Sequence, residues 1–205
     1  MTAKLAPTRG NLVVRQRSSA LAQFGHDVLD QKRQVLIMEM VRYIDSAKEL
    51  QEQVATTFKE AYDALQIANI SLGIDTVEDI SESVPVTSDI TVRLHSIMGV
   101  EIPDIDPLSD AVVPCYSFEA SSGTMDAAYA KFRRVMVLLA QLAEIETSVY
   151  RLAVQIRKTH RRVNALEKVV IPQTQEEIRF ISDVLEEGER EDFSRMKIAQ
   201  KKNNR

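Results

Sequence analysis

The chain has 205 residues and a formal net charge of −4, with 44% apolar and 27% charged residues, which excludes a chain that is disordered throughout. It has no tryptophan and only six glycines and six prolines, a composition that indicates long helices. The single cysteine, Cys115, excludes an internal disulfide framework and a cysteine-based zinc site, and it favours a reducing, intracellular compartment.

The first predicted element is a long helix over residues 8–72, with Thr8 as the expected N-cap and Gly73 as the residue that ends it. Apolar or small side chains alternate at steps of four and three residues, which is the pattern of a coiled-coil seam. The seam positions are Leu36, Met40, Tyr43, Ala47, Leu50, Val54, Phe58, Ala61, Leu65, Ala68 and Leu72. A less regular stripe continues upstream through Leu21, Phe24, Val28 and Val35.

The middle section, residues 73–123, differs from the helix before it because it contains four of the six prolines. Apolar and polar residues alternate over 90–95 and again over 100–102, on either side of the turn-forming pair Met98-Gly99. This alternation predicts a short β-hairpin near 90–102. We therefore expect a small cap rather than a domain with a sizeable core of its own.

A second long helix is predicted over residues 124–200. Its heptad seam comprises Leu138, Leu142, Ile145, Val149, Leu152, Ile156, Thr159, Val163, Leu166 and Val170, and resumes with Ile178, Ile181, Leu185 and Phe193. Pro172 is expected to kink or loosen this helix near Val169. Gly25 and Gly188 also lie inside helices, where glycine costs about 1 kcal/mol relative to alanine. These irregularities are either tolerated defects or points that relieve strain against a curved partner.

Two such helices, each roughly 90–110 Å long, need a partner for their apolar stripes. The nearest partner of each is the other helix of the same chain. The predicted fold class is therefore all-α dominated: a long antiparallel two-helix coiled coil with a small middle section containing a short β-hairpin. Both termini would then lie at one end.

Charge is unevenly distributed along this predicted hairpin. Residues 1–17 carry four basic residues and no acid, and residues 193–205 carry five basic residues and no acid. Residues 69–127 carry eleven acidic residues and only one basic residue, Arg93. A basic tip and an acidic opposite end suggest different partners at the two ends.

No catalytic constellation emerges from the sequence. The histidines His26, His95 and His160 are isolated, and no glycine-rich phosphate loop is present. Cys115 has no basic neighbour that would activate it. We therefore expect no catalytic, cofactor or metal site, and no cofactor.

Two weaker binding hypotheses are also unfavoured. The acidic run 186–192 is interpreted as a solvated helix surface rather than a metal site, since helical spacing spreads its carboxylates and pairs Glu191 with Arg195. The basic tip has no aromatic interleaving apart from Phe193, and the chain as a whole is acidic, so nucleic-acid binding is not expected.

Several segments together resemble the D subunit of V-type and A-type rotary ATPases. Residues 159–167, followed by Val170-Ile171-Pro172, resemble the family's T-R-R-R-V-N-A-L-E…V-I-P signature. Residues 7–9 resemble its P-T-R opening, 25–33 its G-H-x-L-L-K-x-K-R segment, and 185–197 its L-E-E-x-E-R-x-x-x-x-R-x-K segment. The signature residues on the second helix are Arg161, Arg162, Asn164, Glu167 and Pro172. The chain departs from the pattern at His160, where an arginine is expected, and at Asp30, where a lysine is expected.

The resemblance implies a non-catalytic central rotor shaft that couples ATP hydrolysis or synthesis to rotation of a membrane ion-translocating ring. Implied partners are the catalytic and regulatory nucleotide-binding ring subunits, the small F subunit of the stalk and a membrane-side funnel subunit. The proposed ring-contacting tip is formed by Arg9, Arg15, Arg17, Arg195 and Lys197.

The implied location is cytoplasmic and peripheral to a membrane. No signal peptide is apparent, and no stretch has the ~18 uncharged apolar residues that a span needs, so no direct membrane insertion is expected. Rival hypotheses are a generic coiled-coil adaptor or scaffold, and an enzyme with an unrecognised site.

Overall fold

A computed structural model describes residues 6–85, 90–108, 111, 113, 115–117 and 121–203. Its elements are α1 (Arg9–Leu72), α2 (Ile74–Glu82), β1 (Val92–Ile97), β2 (Val100–Ile105), α3 (Gly123–Ala165), a π-helical turn (Leu166–Val170) and α4 (Ile171–Asn203). The predicted fold class is confirmed: long helices dominate, with one two-stranded antiparallel sheet between them. The division into segments 8–72, 73–123 and 124–200 stays a prediction.

The ends of α1 form as the sequence predicts. The backbone N–H of Asn11 donates to Oγ1 of Thr8 at 3.2 Å, which makes Thr8 the N-cap. Gly73 has φ +89, a backbone conformation that strongly favours glycine, and it separates α1 from α2. The short helix α2 was not predicted, because Gly73 was taken as the end of helical structure.

The chain divides into two compact units. The terminal unit comprises Met1–Val35 and Ile156–Arg205, and the central unit comprises Leu36–Gln155.

In the central unit, α1 and α3 run antiparallel. Nε2 of Gln51 donates to Glu146 at 3.4 Å, Nζ of Lys131 donates to the carbonyl oxygen of Glu60 at 3.3 Å, and the hydroxyls of Ser71 and Thr124 lie 2.8 Å apart. As residue numbers rise along α1, those of the contacted residues on α3 fall. Every predicted seam position of α1 from Leu36 to Leu72 is buried or half-buried, so this part of the seam is confirmed. Small residues, among them Ala61, Ala64, Ala68 and Ala128, let the helix backbones approach closely.

The helix α2 covers the end of this pair. Its apolar side chains Val77 and Ile80 are buried against Ala68 of α1 and Met125 of α3. Its acidic side chains, from Asp75 to Glu82, face outward. This amphipathic division explains why a short helix with four acids still packs.

The predicted β-hairpin is present, with Ile97 opposite Val100 and Val92 opposite Ile105. Met98 (φ 51) and Gly99 (φ 75) both have positive φ, as a two-residue hairpin turn requires. The strand β2 extends three residues beyond the predicted limit of 102 and buries Val100 and Ile102. The strand β1 remains an exposed edge apart from the half-buried Ile97.

In the terminal unit, α1 again runs antiparallel to the second helix. Nε of Arg15 lies 3.1 Å from Oε2 of Glu177, and Nη1 of Arg33 lies 3.0 Å from Nδ1 of His160. The upstream stripe predicted here is wrong at three of its four positions: Leu21 is 71%, Phe24 68% and Val28 46% exposed, whereas Val35 is half-buried as predicted. The face that packs instead carries mostly small or polar side chains at heptad spacing: Leu12, Arg15, Ser19, Ala22, His26, Leu29 and Arg33.

The π-helical turn explains an irregularity in the second seam. The predicted seam positions Val170 and Ile178 are eight residues apart, one more than a heptad. In the turn, the N–H of Ile171 donates to the carbonyl oxygen of Leu166, five residues back, so the helix absorbs one extra residue. Val163 before the turn and Ile181 after it are both buried as a result.

Two predicted seam residues are therefore corrected. Val170 is 39% exposed because it lies within the turn, and the seam passes through Ile171 and the buried Thr174 instead. Phe193 is 58% exposed because no described part of α1 covers that stretch of α4. The loosening predicted near Val169 is confirmed as this π-helical turn. Pro172 contributes because it has no N–H to donate to the carbonyl of Lys168.

Candidate functional site

The arginines predicted to form a basic tip are largely paired within the terminal unit. Arg9 bonds the carboxylate of Glu189, and Arg15 bonds that of Glu177. Arg195 lies 3.2 Å from Glu191.

The remaining predicted tip residues carry no ion pair to a described residue. The side chain of Arg17 is exposed, and Nζ of Lys197 lies 5.0 Å from the ring centroid of Phe193. Of the other basic residues near the termini, Lys201 and Lys202 are exposed, whereas Lys4 and Arg205 lie outside the described residues. The tip is therefore less positive than its basic residues alone suggest.

The end of α4 extends past its partner helix. Arg9, the first residue of α1, bonds Glu189, whereas α4 continues to Asn203. Every side chain described from Glu186 to Lys202 is exposed, including three large apolar ones: Phe193, Met196 and Ile198. We call residues 186–203 the free end of α4. Its apolar side chains have no cover within the described chain.

The family-signature residues lie around the π-helical turn. Arg161, Arg162, Glu167 and Pro172 are exposed, whereas Asn164 is half-buried and hydrogen-bonds His160. Arg161 and Arg162 have basic neighbours on α3, which were not among the predicted site residues.

Five exposed basic side chains form what we call the basic band: Arg157, Lys158, Arg161, Arg162 and Lys168. None of the five has an ion pair to another described residue. The band therefore presents five positive charges that no described acid neutralises. In the sequence, Arg157-Lys158 is followed four residues later by Arg161-Arg162. This spacing places the four side chains on adjoining faces of one helix.

Asp30 and His160, the two departures from the family pattern, both contact the side chain of Arg33. Asp30 bonds Arg33 at 2.6 Å, and Arg33 bonds His160 at 3.0 Å. An acid and an imidazole thus flank Arg33 at the two positions where lysine and arginine were expected.

In the terminal unit, the face of α1 that does not pack against the partner helix is apolar. Val14, Leu21, Phe24 and Val28 are each at least 46% exposed and recur at helical spacing. We call these four residues the outer apolar stripe. The hydrophobic pattern that misled the seam prediction therefore marks a surface with no cover within the described chain.

The histidines and the acidic run were the candidates for catalytic or metal chemistry in the sequence. No group of three or more histidine, cysteine or acidic side chains among the described residues could hold a metal ion. His26 hydrogen-bonds Asp27 at 3.0 Å, and His95 is exposed on β1. In the acidic run every side chain is exposed, Arg190 contacts Glu186 and Glu187 along the helix, and Glu189 bonds Arg9 of α1.

The one free cysteine is engaged with an aromatic side chain. A hydrogen bond to Cys115, followed by burial, raises the pKa of Tyr129. The ring of Tyr129 packs edge-on against Tyr116, with centroids 5.9 Å apart. These contacts fit a packing role. Pro114, beside Cys115, lies outside the described residues.

Several clefts are described, and one of them lies in the central unit beside β2. This cleft, of about 330 Å³, is bounded by Leu50, Ile105 and Glu144, whose carboxylate accepts the N–H of Ile105 at 3.0 Å. That bond occupies the carboxylate in anchoring the hairpin. No described helix is both long enough and apolar enough to cross a membrane.

Comparisons with known proteins agree with one another. A sequence model of the family described as the D subunit of ATP synthase matches residues 11–201. The V-type ATP synthase D subunit of Thermotoga neapolitana is 43% identical, over 97% of this chain and 98% of its own length. The A-type ATP synthase D subunit of Thermococcus sibiricus is 39% identical, over 95% and 92%. That of Methanopyrus kandleri is 36% identical, over 93% and 83%.

Proposed function

Because this chain belongs to the family of ATP synthase D subunits, we propose that it is the non-catalytic central-stalk rotor subunit of a V/A-type ATPase or ATP synthase. It would couple ATP hydrolysis or synthesis in a catalytic ring to rotation of a membrane ion-translocating ring. The observation that carries this proposal is the free end of α4, whose exposed apolar side chains need a partner outside the chain.

The terminal unit is the part proposed to enter the ring of catalytic and regulatory nucleotide-binding subunits. It offers three unlike surfaces: the outer apolar stripe on α1, the basic band on α3, and the free end of α4. Unlike faces support a rotor role, because each pair of ring subunits would meet different chemistry at a given angle. Turning the shaft would then change the ring subunits in sequence.

The predicted ring-contacting tip is kept within this proposal. Arg17 and Lys197 would reach ring subunits directly, since neither is paired to a described acid. Arg9, Arg15 and Arg195 would first have to leave, or share, the carboxylates that they bond. We therefore propose that the basic band supplies more of the electrostatic attraction than the tip does.

The central unit would meet the small F subunit of the stalk and the membrane-side funnel subunit. This proposed contact is supported by the acidic, exposed surface of α2 and by Ile70 and Ile74, which are 86% and 68% exposed. The chain would then be cytoplasmic and peripheral to the membrane, held there by the complex. ATP chemistry would take place in the ring.

A tagged pull-down from the native host tests this proposal. We expect two large nucleotide-binding subunits in equal amounts, with one copy of this chain for about three pairs. A matched pull-down uses a chain that lacks residues 186–205, and we expect it to lose the ring subunits. Recovery of unrelated proteins without the ring subunits would contradict the rotor proposal and leave the coiled-coil adaptor hypothesis.

A further inference from the structure

A polar cluster joins the two helices of the terminal unit. Nη1 of Arg33 on α1 lies 3.0 Å from Nδ1 of His160 on α3, while Nη2 of Arg33 lies 2.6 Å from Asp30. Asp30 also accepts a hydrogen bond from Gln34 at 3.1 Å, which fixes it on α1. Nε2 of His160 lies 3.1 Å from the side-chain amide of Asn164. His160 is thus the residue through which α3 meets this cluster.

The contacts determine where the imidazole proton lies. A guanidinium can only donate, so Nδ1 of His160 must be the acceptor and carry no proton. The single proton of a neutral imidazole then lies on Nε2, which faces Nδ2 of Asn164, a second donor. A 180° turn of the amide group brings its oxygen to the ring and lets Nε2 donate to it. The cluster is therefore complete only while His160 is neutral.

The charged groups near His160 in the sequence and in the cluster are mostly basic. On α1 they are Arg33 and the half-buried Lys32, with Asp30 already engaged by Arg33 and Gln34. On α3, Arg157 lies three residues before His160 and Arg161 one residue after it. Asp30 is the only acid that contacts the cluster among the described residues.

Protonation would replace an attractive contact by a repulsive one. A proton on Nδ1 would point at the N–H of Arg33, leaving two donors and two positive charges within hydrogen-bond distance. Nε of Arg33 is buried and already contacts no described acceptor. Losing His160 would therefore leave Arg33 with Asp30 alone, and no polar bond would join α1 to α3 at this point.

We propose that Arg33 and His160 form a pH-sensitive clamp between the two helices of the terminal unit. It is closed when His160 is neutral and opens when the imidazole gains its second proton. The clamp is a property of the folded chain, so it stands whether or not the chain is a rotor subunit.

Thermal unfolding of the full chain at about pH 8 and about pH 5 tests the clamp. His160→Gln keeps an acceptor for Arg33 and cannot take up a proton. We expect the wild-type midpoint to fall by about 2–4 °C more than that of His160→Gln on acidification. The matched control is His95→Gln, an exposed histidine on β1, and it should follow the wild type.

A second variant, His160→Arg, and a local measurement test the clamp independently in case the glutamine of His160→Gln packs poorly. His160→Arg carries a permanent charge and should show at pH 8 the lower midpoint that the wild type shows in acid. Amide hydrogen exchange over residues 156–165 should accelerate in parallel. The clamp is overturned if His160→Gln shows the full wild-type loss in acid, or if His160→Arg matches the wild type at pH 8.

Discussion

Tyr116 is a half-buried side chain that packs against the cluster of Ala68, Val77, Ile80 and Met125. Its hydroxyl donates to Oδ1 of Asp126 at 2.7 Å. Burial first, then this hydrogen bond and the negative charge of Asp126, raise the pKa of Tyr116 above its ordinary value. The folded chain therefore retains the phenolic proton more strongly than the unfolded chain does.

This shift makes part of the stability sensitive to alkali. A group with a raised pKa contributes stability that is present below the unfolded pKa of about 10 and is lost as pH rises above it. We expect Tyr116→Phe to lower the free energy of unfolding at pH 7 by about 0.5–1.5 kcal/mol, and by less above pH 10. Denaturant titrations at both pH values measure the difference. Tyr150→Phe is the control, since Tyr150 is 71% exposed, and a similar pH effect in it would contradict this account.

Two glycines should respond in opposite ways to the same substitution. A Cβ atom on Gly25 would meet nothing within 4 Å, so Gly25→Ala should raise the unfolding free energy of the isolated chain by about 0.5–1 kcal/mol. Gly73 has equal space but a φ of +89, so Gly73→Ala should lower it. Equal effects of the two substitutions in denaturant titrations would show that backbone conformation does not decide them.

At the scale of elements, the seam of α1 shows both the strength and the limit of sequence pattern. From Leu36 onward the apolar heptads predicted the buried face, because there the apolar side chains are the ones that pack against α3. Upstream, Leu21 and Phe24 are exposed, while Ser19 and Arg33 face the partner helix. A hydrophobic side chain in the pattern is expected to be buried. The pattern does not show whether another part of this chain or a partner molecule buries it.

The π-helical turn gives the sharpest test at this scale. Removing one residue from it should restore an unbroken heptad from Val163 to Leu185 in an ordinary α-helix. We therefore expect deletion of Val169, in a Pro172→Ala background, to unfold within a few degrees of that background.

The control deletes Lys158 in the same background. That deletion turns the following seam by about 100°, so the midpoint should fall clearly further. Equal losses from the two deletions would contradict the view that the turn preserves the seam.

Paired charges were another feature that sequence alone could not supply. The basic residues near the two termini were visible, and so was the acidic run. The contacts of Arg9 with Glu189 and of Arg15 with Glu177 depend on the register between two helices that are far apart in the sequence. The sequence of either helix alone does not predict that register. The family signature was more informative, because Arg161 and Arg162 fall within the basic band.

At the scale of the whole molecule, two groups of four charges can be compared directly. Neutralising Arg157, Lys158, Arg161 and Arg162 with glutamine should weaken binding to purified ring subunits and flatten its dependence on salt. Neutralising Arg9, Arg15, Arg195 and Lys197 should do so less, because three of these four already bond carboxylates. Affinities measured across a salt series decide the order. A larger effect from the second group would restore the tip as the main electrostatic contact.

The most direct test of the rotor proposal is rotation itself. A bead would be attached to an exposed position of β1 on this chain, and the ring of nucleotide-binding subunits would be fixed to a surface. With ATP supplied, we predict that the bead turns in one direction, and that a chain lacking residues 186–205 supports slower turning or none. A complex that hydrolyses ATP at its full rate while the bead stays still would contradict the proposal that this chain is the rotor.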